Sequence, residues 1–532
     1  MSCMRASLTD QTVWKILFFA LPLGYCWCYA PFGINETDGG FITGLAWQLL
    51  SGKNLYTDVV YVRPPLPVWL RAVELYLLPE NWAVLGERWL FYWKVAAYAW
   101  LGAAVLSTGA QQWRLAVWAF VMSAHCYPAA AWHTVDGLLF GSLGLWLWFR
   151  GRGAGAAFGS GTAVAAMLLC KQSFYPMLPL WLALVIFEKN RLPRHRRWAL
   201  AGAVVSLGLF ATGLYAQNAL GAFLQLTRSA SSGGQAFEHG VLDYLRLAPA
   251  VARPAVALLA RSFWLSGRRA PVFWYVFLLF LAGSYALAIG IRQEFTAPFT
   301  QTRLLFGLAA GYALWSFYQK NWPLEKSLAF AALLALSWSA SVSWGYNLPI
   351  LFALPWVFVL LEMSDRHTKT LSLGRLRFAL LALAGALLLF RWGYTYVYRD
   401  GRRPEMTVSL GAIFPKLSGI YSTPDRAALY QDLQNLSQRY GPGFKTLPTF
   451  PLANFITGTQ PPLPLDWVVK REMGAGRLLV DQTRQQTRPH LLVEKSQWKK
   501  IQSDPEMELV RSWVSDKTPV DSTAYFLVFS PD

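Results

Sequence analysis

The chain has 532 residues, of which 55% are hydrophobic and only 14% charged, a balance outside that of a soluble globular protein of this length. Its formal net charge of +19 would suit nucleic acid in a soluble chain, but many Lys and Arg residues stand in short loops between apolar runs, as the positive-inside rule produces, so nucleic acid is set aside as a partner. The five cysteines, Cys3, Cys26, Cys28, Cys126 and Cys170, lie in or before the apolar part and imply neither a disulfide framework nor a zinc site.

The first apolar run, from about Val13 to about Phe32, has no small-residue cleavage site and reads as an uncleaved first span. It delivers Glu36-Thr37-Asp38-Gly39-Gly40 to the far-side surface, where a carboxylate at the hydrocarbon rim is costly unless it serves a site. Residues 33–87 form a long outer loop. Within it, Pro65 to Leu78 is short and carries Arg71 and Glu74, so it predicts a helix lying along the outer surface rather than a crossing. Further runs begin near residues 88, 114, 137, 154, 174, 199, 271, 303, 327, 348 and 376, each long enough to cross a hydrocarbon core of ~30 Å. A thirteenth candidate, about Ala248 to Leu265, is interrupted by Arg253 and Arg261 and either crosses or lies in the interface.

Charge favours the crossing. With thirteen spans and a cytoplasmic N-terminus, Arg150 and Arg152, the cluster from Lys189 to Arg197, Arg268 and Arg269, Lys320 and Lys326, and the cluster from Arg366 to Arg377 all face the cytoplasm. With twelve spans the second half inverts. Residues 1–395 therefore predict an α-helical polytopic module of about 13 transmembrane helices in the inner (cytoplasmic) membrane. The loop from about 217 to 247 lies outside, and its run from Ser229 to Gly234 reads as a mobile cover. Gly151-Arg152-Gly153-Ala154-Gly155 has no strand before it and reads as a tight cytoplasmic turn rather than a phosphate loop.

Residues 396–532 change in character, with Pro, Gly, charge and short alternating runs such as Leu478 to Asp481 and Tyr525 to Phe529. They predict an extracytoplasmic α/β domain. One helix, Pro424 to Tyr440, has Thr423 as its cap and Pro424 at its first position. Phe450 to Gly458, with Pro461-Pro462 and Asp466-Trp467 beyond it, reads most plainly as a structural loop with a Gly turn.

On this topology the polar residues least explained by packing gather at the outer rim: Asp38, Asp58, Arg63, His133, Asp136, Lys171 and Gln172. Carboxylates from separate loops, with a Lys and an Arg nearby, can take a proton from an acceptor and neutralise an anionic phosphate leaving group. Each has a plainer alternative. Asp38 can start a turn, Asp136 can cap the helix from Gly137, Lys171 can snorkel, His133 can be an interfacial ring, and Arg63 can be an exposed residue in an extended X-Pro segment. Their agreement on one face raises the joint reading.

The stretch Asp38 to Gly52, then Leu55-Tyr56-Thr57-Asp58, then Arg63-Pro64-Pro65-Leu66 resembles the first extracytoplasmic loop of the GT-C glycosyltransferases. Among these it is similar to the bacterial relatives of the protein O-mannosyltransferases and of the aminoarabinose transferase that modifies lipid A. His133-Thr134-Val135-Asp136, Leu169-Cys170-Lys171-Gln172 and Ser339 to Gly345 ahead of Asn347 extend the resemblance. It covers residues 10 to 220 well and the rest loosely. The family often has Asp-Glu where this chain has Asp38-Gly39, which leaves divalent-metal assistance and acceptor type open, and often Lys where this chain has Arg63.

The resemblance implies a monosaccharide donor on polyprenyl phosphate and an extracytoplasmic acceptor, whether lipid, glycan or protein, with inversion. Asp38 would be the general base or orient the acceptor, and Asp136 would support the acceptor or the base. Arg63 and Lys171 would bind the donor phosphate, and Tyr56, Asp58, His133 and Gln172 would contact substrate. The tail would cover the cavity or help choose the acceptor. A transporter or flippase of lipid-linked sugars is the main alternative, disfavoured because its site belongs near the midplane. A non-catalytic assembly subunit is the other.

Overall fold

A computed structural model of the chain describes residues 2–187, 192–229, 238–246, 299–318, 322–347 and 394–531, with isolated positions between 355 and 391. The apolar runs became helices: α1 (Ser2–Cys28), α4 (Ala83–Leu106), α5 (Gly109–Ser123), α6 (His133–Arg150), α7 (Gly153–Leu168), α8 (Met177–Phe187), α9 (Pro193–Ala216), α11 (Phe299–Tyr318) and α12 (Leu324–Ala340). Between them lie α2 (Asp38–Leu50), α3 (Leu66–Leu77) and α10 (Leu220–Ser229). Among the described residues, Glu80–Leu106, Pro193–Ala216 and Leu324–Ser343 are long and apolar enough to cross a bilayer by length and composition. The runs predicted near 248 and 271, and nearly all of those near 348 and 376, lie outside the described residues. The chain is an α-helical polytopic membrane protein with a C-terminal α/β unit.

Close approach between α7 and α9 depends on missing side chains. A Cβ on Gly161 would stand 1.9 Å from the Ala199 carbonyl oxygen, and one on Gly202 would stand 2.0 Å from that of Phe158. Small residues of this kind let apolar helices pack where hydrocarbon offers no hydrophobic drive.

The tail carries β1 (Val408–Ser409) antiparallel to β2 (Tyr421–Ser422). It also carries a four-stranded sheet from β3 (Phe444–Leu447), β4 (His490–Glu494), β5 (Asp521–Ser522) and β6 (Phe526–Phe529), in the order β3-β4-β6-β5. Only β3 and β4 run parallel, with Phe444 opposite His490. Helix α13 (Pro424–Tyr440) starts as its sequence predicts, with Thr423 Oγ1 accepting from the Arg426 N–H.

Two local expectations change. The run at Leu478 is helical, α16 (Arg477–Thr487), because only Val480 in it is buried and the Gln and Arg residues that follow favour helix over a second alternation. Phe450 to Gly458 is not a plain loop. It holds a short helix, α14 (Leu452–Thr457), closed by Gly458 in the left-handed region at φ 70°. The four-residue α15 (Lys470–Met473) lies between them.

The first loop and the tail share one apolar core, in which Phe41, Ile42, Leu45 and Val60 meet Leu465, Trp467, Val468 and Val514. Polar contacts seal the joint. The Val60 N–H donates to the Pro464 carbonyl at 2.7 Å, Gln48 donates to Asp466 at 2.9 Å, and Asp466 also pairs with the buried Lys445 at 3.1 Å. A Cβ at Gly40 would fall 2.6 Å from that of Leu452, so α2 and α14 touch along their backbones.

Candidate active site

Asp38 opens α2, where an acidic side chain complements the helix dipole. It does not cap the turn itself. Asn35 does, its Oδ1 accepting from the N–H groups of Thr37 at 3.1 Å and Asp38 at 3.0 Å. The Asp38 carboxylate is thereby left for other partners: Asn35 Nδ2 at 3.4 Å, the Tyr398 hydroxyl at 3.2 Å and the Arg399 guanidinium at 3.4 Å. These partners are neutral or cationic. Among the described residues no group of three or more His, Cys, Asp and Glu gathers around a point that would hold a metal.

Asp38 lies in the wall of a cavity of about 800 Å³ between the first loop and the tail. Charges of both signs line it, including Glu36, Arg426, Arg471 and Lys500. Glu36 pairs with Arg426 at 2.9 Å. Burial pushes the Glu36 carboxyl up from its ordinary value, with Arg426 opposing.

Most of the other predicted residues converge on Arg63. Tyr56, held at φ 75°, donates its hydroxyl to the Arg63 carbonyl at 2.8 Å. Gln172 donates to the Val62 carbonyl at 2.6 Å. The His133 ring shares a 2.5 Å hydrogen bond with the Tyr61 hydroxyl. These contacts fix the extended segment 60–63 and so the Arg63 side chain, which lies 5.1 Å over the ring of Phe41, one turn along α2 from Asp38. Arg63 is not free, however. Both its terminal nitrogens bond the two Glu472 oxygens at 2.5 Å. Burial works against its charge, but Glu472 and, more weakly, Asp38 outweigh that and hold its pKa above the ordinary value.

Lys171 sits between α7 and α8, donating to Ser343 Oγ at 2.6 Å and Thr134 Oγ1 at 3.4 Å. Its partners are neutral. Burial first, then the nearby Arg63, pull its pKa down from 10.5 to about 7.

Two predicted residues stand apart. Asp58 is exposed and accepts from the Asn54 N–H at 2.8 Å, closing its own turn. Asp136 is not a helix cap, though it lies in the first turn of α6. Helix α6 begins at His133, and the Asp136 N–H already bonds the Trp132 carbonyl. Its carboxylate is 2% exposed and pairs with Lys94 at 2.8 Å. Lys94 also reaches Glu74 at 2.8 Å, Arg71 joins Glu74 at 3.3 Å, and Arg71 joins Glu87 at 2.6 Å. The chain of charges ties α3, α4 and α6 together.

Sequence reasoning missed Glu472, Tyr398, Arg399 and Lys94. Lys94 carried a signal, a charge inside an apolar run. The other three carried none, since nothing local in the tail marks residues that fold back onto the first loop.

No family model and no curated protein matches the chain. Among solved structures it is similar to ArnT from Cupriavidus metallidurans in the apo state, at 14% identity and a TM-score of 0.45, with 98% of each chain covered. It is also similar to ArnT from the same organism bound to undecaprenyl phosphate, at 12% identity and a TM-score of 0.37, again over 98% of each chain.

Proposed function

We propose that the chain is an integral-membrane glycosyltransferase of GT-C type, in the inner membrane with its tail outside, moving a monosaccharide from a polyprenyl-phosphate donor to an extracytoplasmic acceptor with inversion. What supports this reading is the Asp38 carboxylate in a cavity wall, with Arg63 over Phe41, one turn along α2 from it, and a second cation, Lys171, arriving between α7 and α8 near enough to Arg63 for the two charges to interact. Asp38 takes the proton from the acceptor hydroxyl as its oxygen attacks the anomeric carbon. The bond from that carbon to the phosphate oxygen breaks with its electron pair, and Arg63 and Lys171 hold the lipid phosphate that leaves. To grip the phosphate with its bidentate fork, Arg63 exchanges its Glu472 partner for it. Tyr56, His133 and Gln172 position the segment that carries Arg63, and Asp136 positions α6 through Lys94.

The reading is tested by mass analysis of envelope glycolipids and glycans from cells with and without the chain. One species differing by a single monosaccharide is expected, and an unchanged profile sinks the proposal.

Lys171 gives a second expected result, in pH. With its pKa near 7, Lys171 is charged below that value and neutral above it. Affinity for a polyprenyl phosphate falls as pH rises through about 7, and Lys171→Arg holds the affinity to higher pH. Stability of the empty protein moves the other way. The unfolded state binds the extra proton between about 7 and 10.5, so stability rises with pH across that window. Binding isotherms at pH 6 to 9, together with unfolding at the same values, check both signs.

A further inference from the structure

A second cavity, of about 300 Å³, lies on the other side of the segment that carries Asp38. Its wall includes Tyr29, Phe32, Arg88, Tyr127, Tyr398 and Arg403. Arg403 is 8% exposed. Its guanidinium lies 3.6 Å from the ring centre of Phe32 and 3.9 Å from that of Tyr394, yet its Nη1 has no hydrogen-bond partner. Among the described residues no carboxylate pairs with it. Arg88, also in the wall, has its two terminal nitrogens satisfied by the Ala30 and Gly33 carbonyls at 2.7 Å, and among the described residues no carboxylate forms a salt bridge with it, Glu87 and Asp400 acting on it only from a distance. The one wall carboxylate, Glu87, is already engaged by Arg71, Thr43 and the Ala131 N–H. The cavity thus has a net positive wall, aromatic faces, and a buried guanidinium nitrogen with an unmet hydrogen bond. Buried charges are ordinarily paired, and the guanidinium fork matches phosphate.

We infer that this cavity is a second anion site, which takes the phosphate of a phosphate-bearing headgroup on Arg403 and packs the attached group against the tyrosines. It is separate from the Arg63 and Lys171 pair. The Asn35 and Gly39 that line it are neighbours of Asp38, so what binds there lies beside the proposed base.

The test uses the full chain in a neutral detergent, its thermal unfolding followed while dihexanoyl phosphatidate, inorganic phosphate or, as a zwitterionic control, dihexanoyl phosphatidylcholine is titrated. A saturable rise in midpoint is expected with phosphatidate and not with the control. If inorganic phosphate gives the same rise, the site stands and its ligand is the free anion; if only phosphatidate does, the ligand is a lipid headgroup. Arg403→Gln should weaken the apparent affinity by roughly tenfold or more, on the scale of a charge-assisted bond, while Arg63→Gln leaves it within about twofold, as an independent site should. Because Arg403 also bridges two rings, a second variant is needed that leaves it intact. Ala129→Leu fills the cavity from its own wall position and should abolish the rise equally. No saturable rise with either anion, full binding in Ala129→Leu, or loss in Arg63→Gln with retention in Arg403→Gln overturns the site.

Discussion

Asp38→Asn is expected to slow transfer by about 10²–10⁴-fold, the range for loss of a positioned general base, with donor binding unchanged. The substitution preserves size, and the new side chain can still meet Tyr398 and Arg399, which lie 3.2 and 3.4 Å from the carboxylate. The turn that leads into α2 is untouched, because Asn35 Oδ1 accepts its N–H groups. What is lost is the capacity to accept the acceptor's proton. The pair with Arg399 contributes little to stability, since Arg399 is 43% exposed and surface ion pairs are worth about 0–1 kcal/mol. Single-turnover assays with saturating lipid-linked donor separate the two roles. A fall in the chemical step with an unchanged donor dissociation constant supports Asp38 as the base. Full activity removes it from that position, and loss of donor binding moves it to substrate orientation.

The largest effect on stability is expected at Arg71. Its side chain is 1% exposed, with Glu87 at 2.6 Å, Glu74 at 3.3 Å, Thr43 Oγ1 at 3.0 Å and the Ala83 carbonyl at 2.8 Å. Arg71→Met leaves Glu87 buried without a cation, a loss that costs about 3–5 kcal/mol when one partner of a buried pair is removed. Glu74 suffers less, because Lys94 remains 2.8 Å away. The double variant Arg71→Met/Glu87→Gln should recover part of the loss, since it removes the uncompensated charge. Unfolding of these two variants and of Glu87→Gln alone in detergent measures the coupling. A single-variant cost below about 1 kcal/mol, the level of an exposed pair, would mean that water reaches the network. Because Glu87 also accepts from the Ala131 N–H at 2.6 Å, disruption should reach the loop before α6 and lower activity together with stability.

The buried network also shows why the rim residues read alike in sequence and differ in space. Asp38 and Asp136 are both carboxylates beside apolar runs, but Lys94, forty-two positions before Asp136, binds one of them and not the other. Arg63 reads as an exposed residue before Pro-Pro until Glu472 arrives from the far end of the chain. Asp58, by contrast, was separable from sequence in principle: Asn54 to Asp58 is a short turn that its own carboxylate can close.

The sequence by itself determined the helical body with its long apolar helices, the long first loop with a short helix at Leu66–Leu77, the α/β character of the tail and the capped start of α13. All of these follow from local quantities: runs of apolar residues, charge in short loops, Pro and Thr at a helix start. Only the tertiary structure decided that the tail packs on the first loop, that Arg63 answers to Glu472, that Asp136 is tied to Lys94, and that Asp38 stands between two cavities. Those facts depend on which distant backbones approach, as at Gly40 against Leu452. A buried charge takes whatever partner the fold brings within hydrogen-bond reach, and spacing along the chain does not state that partner.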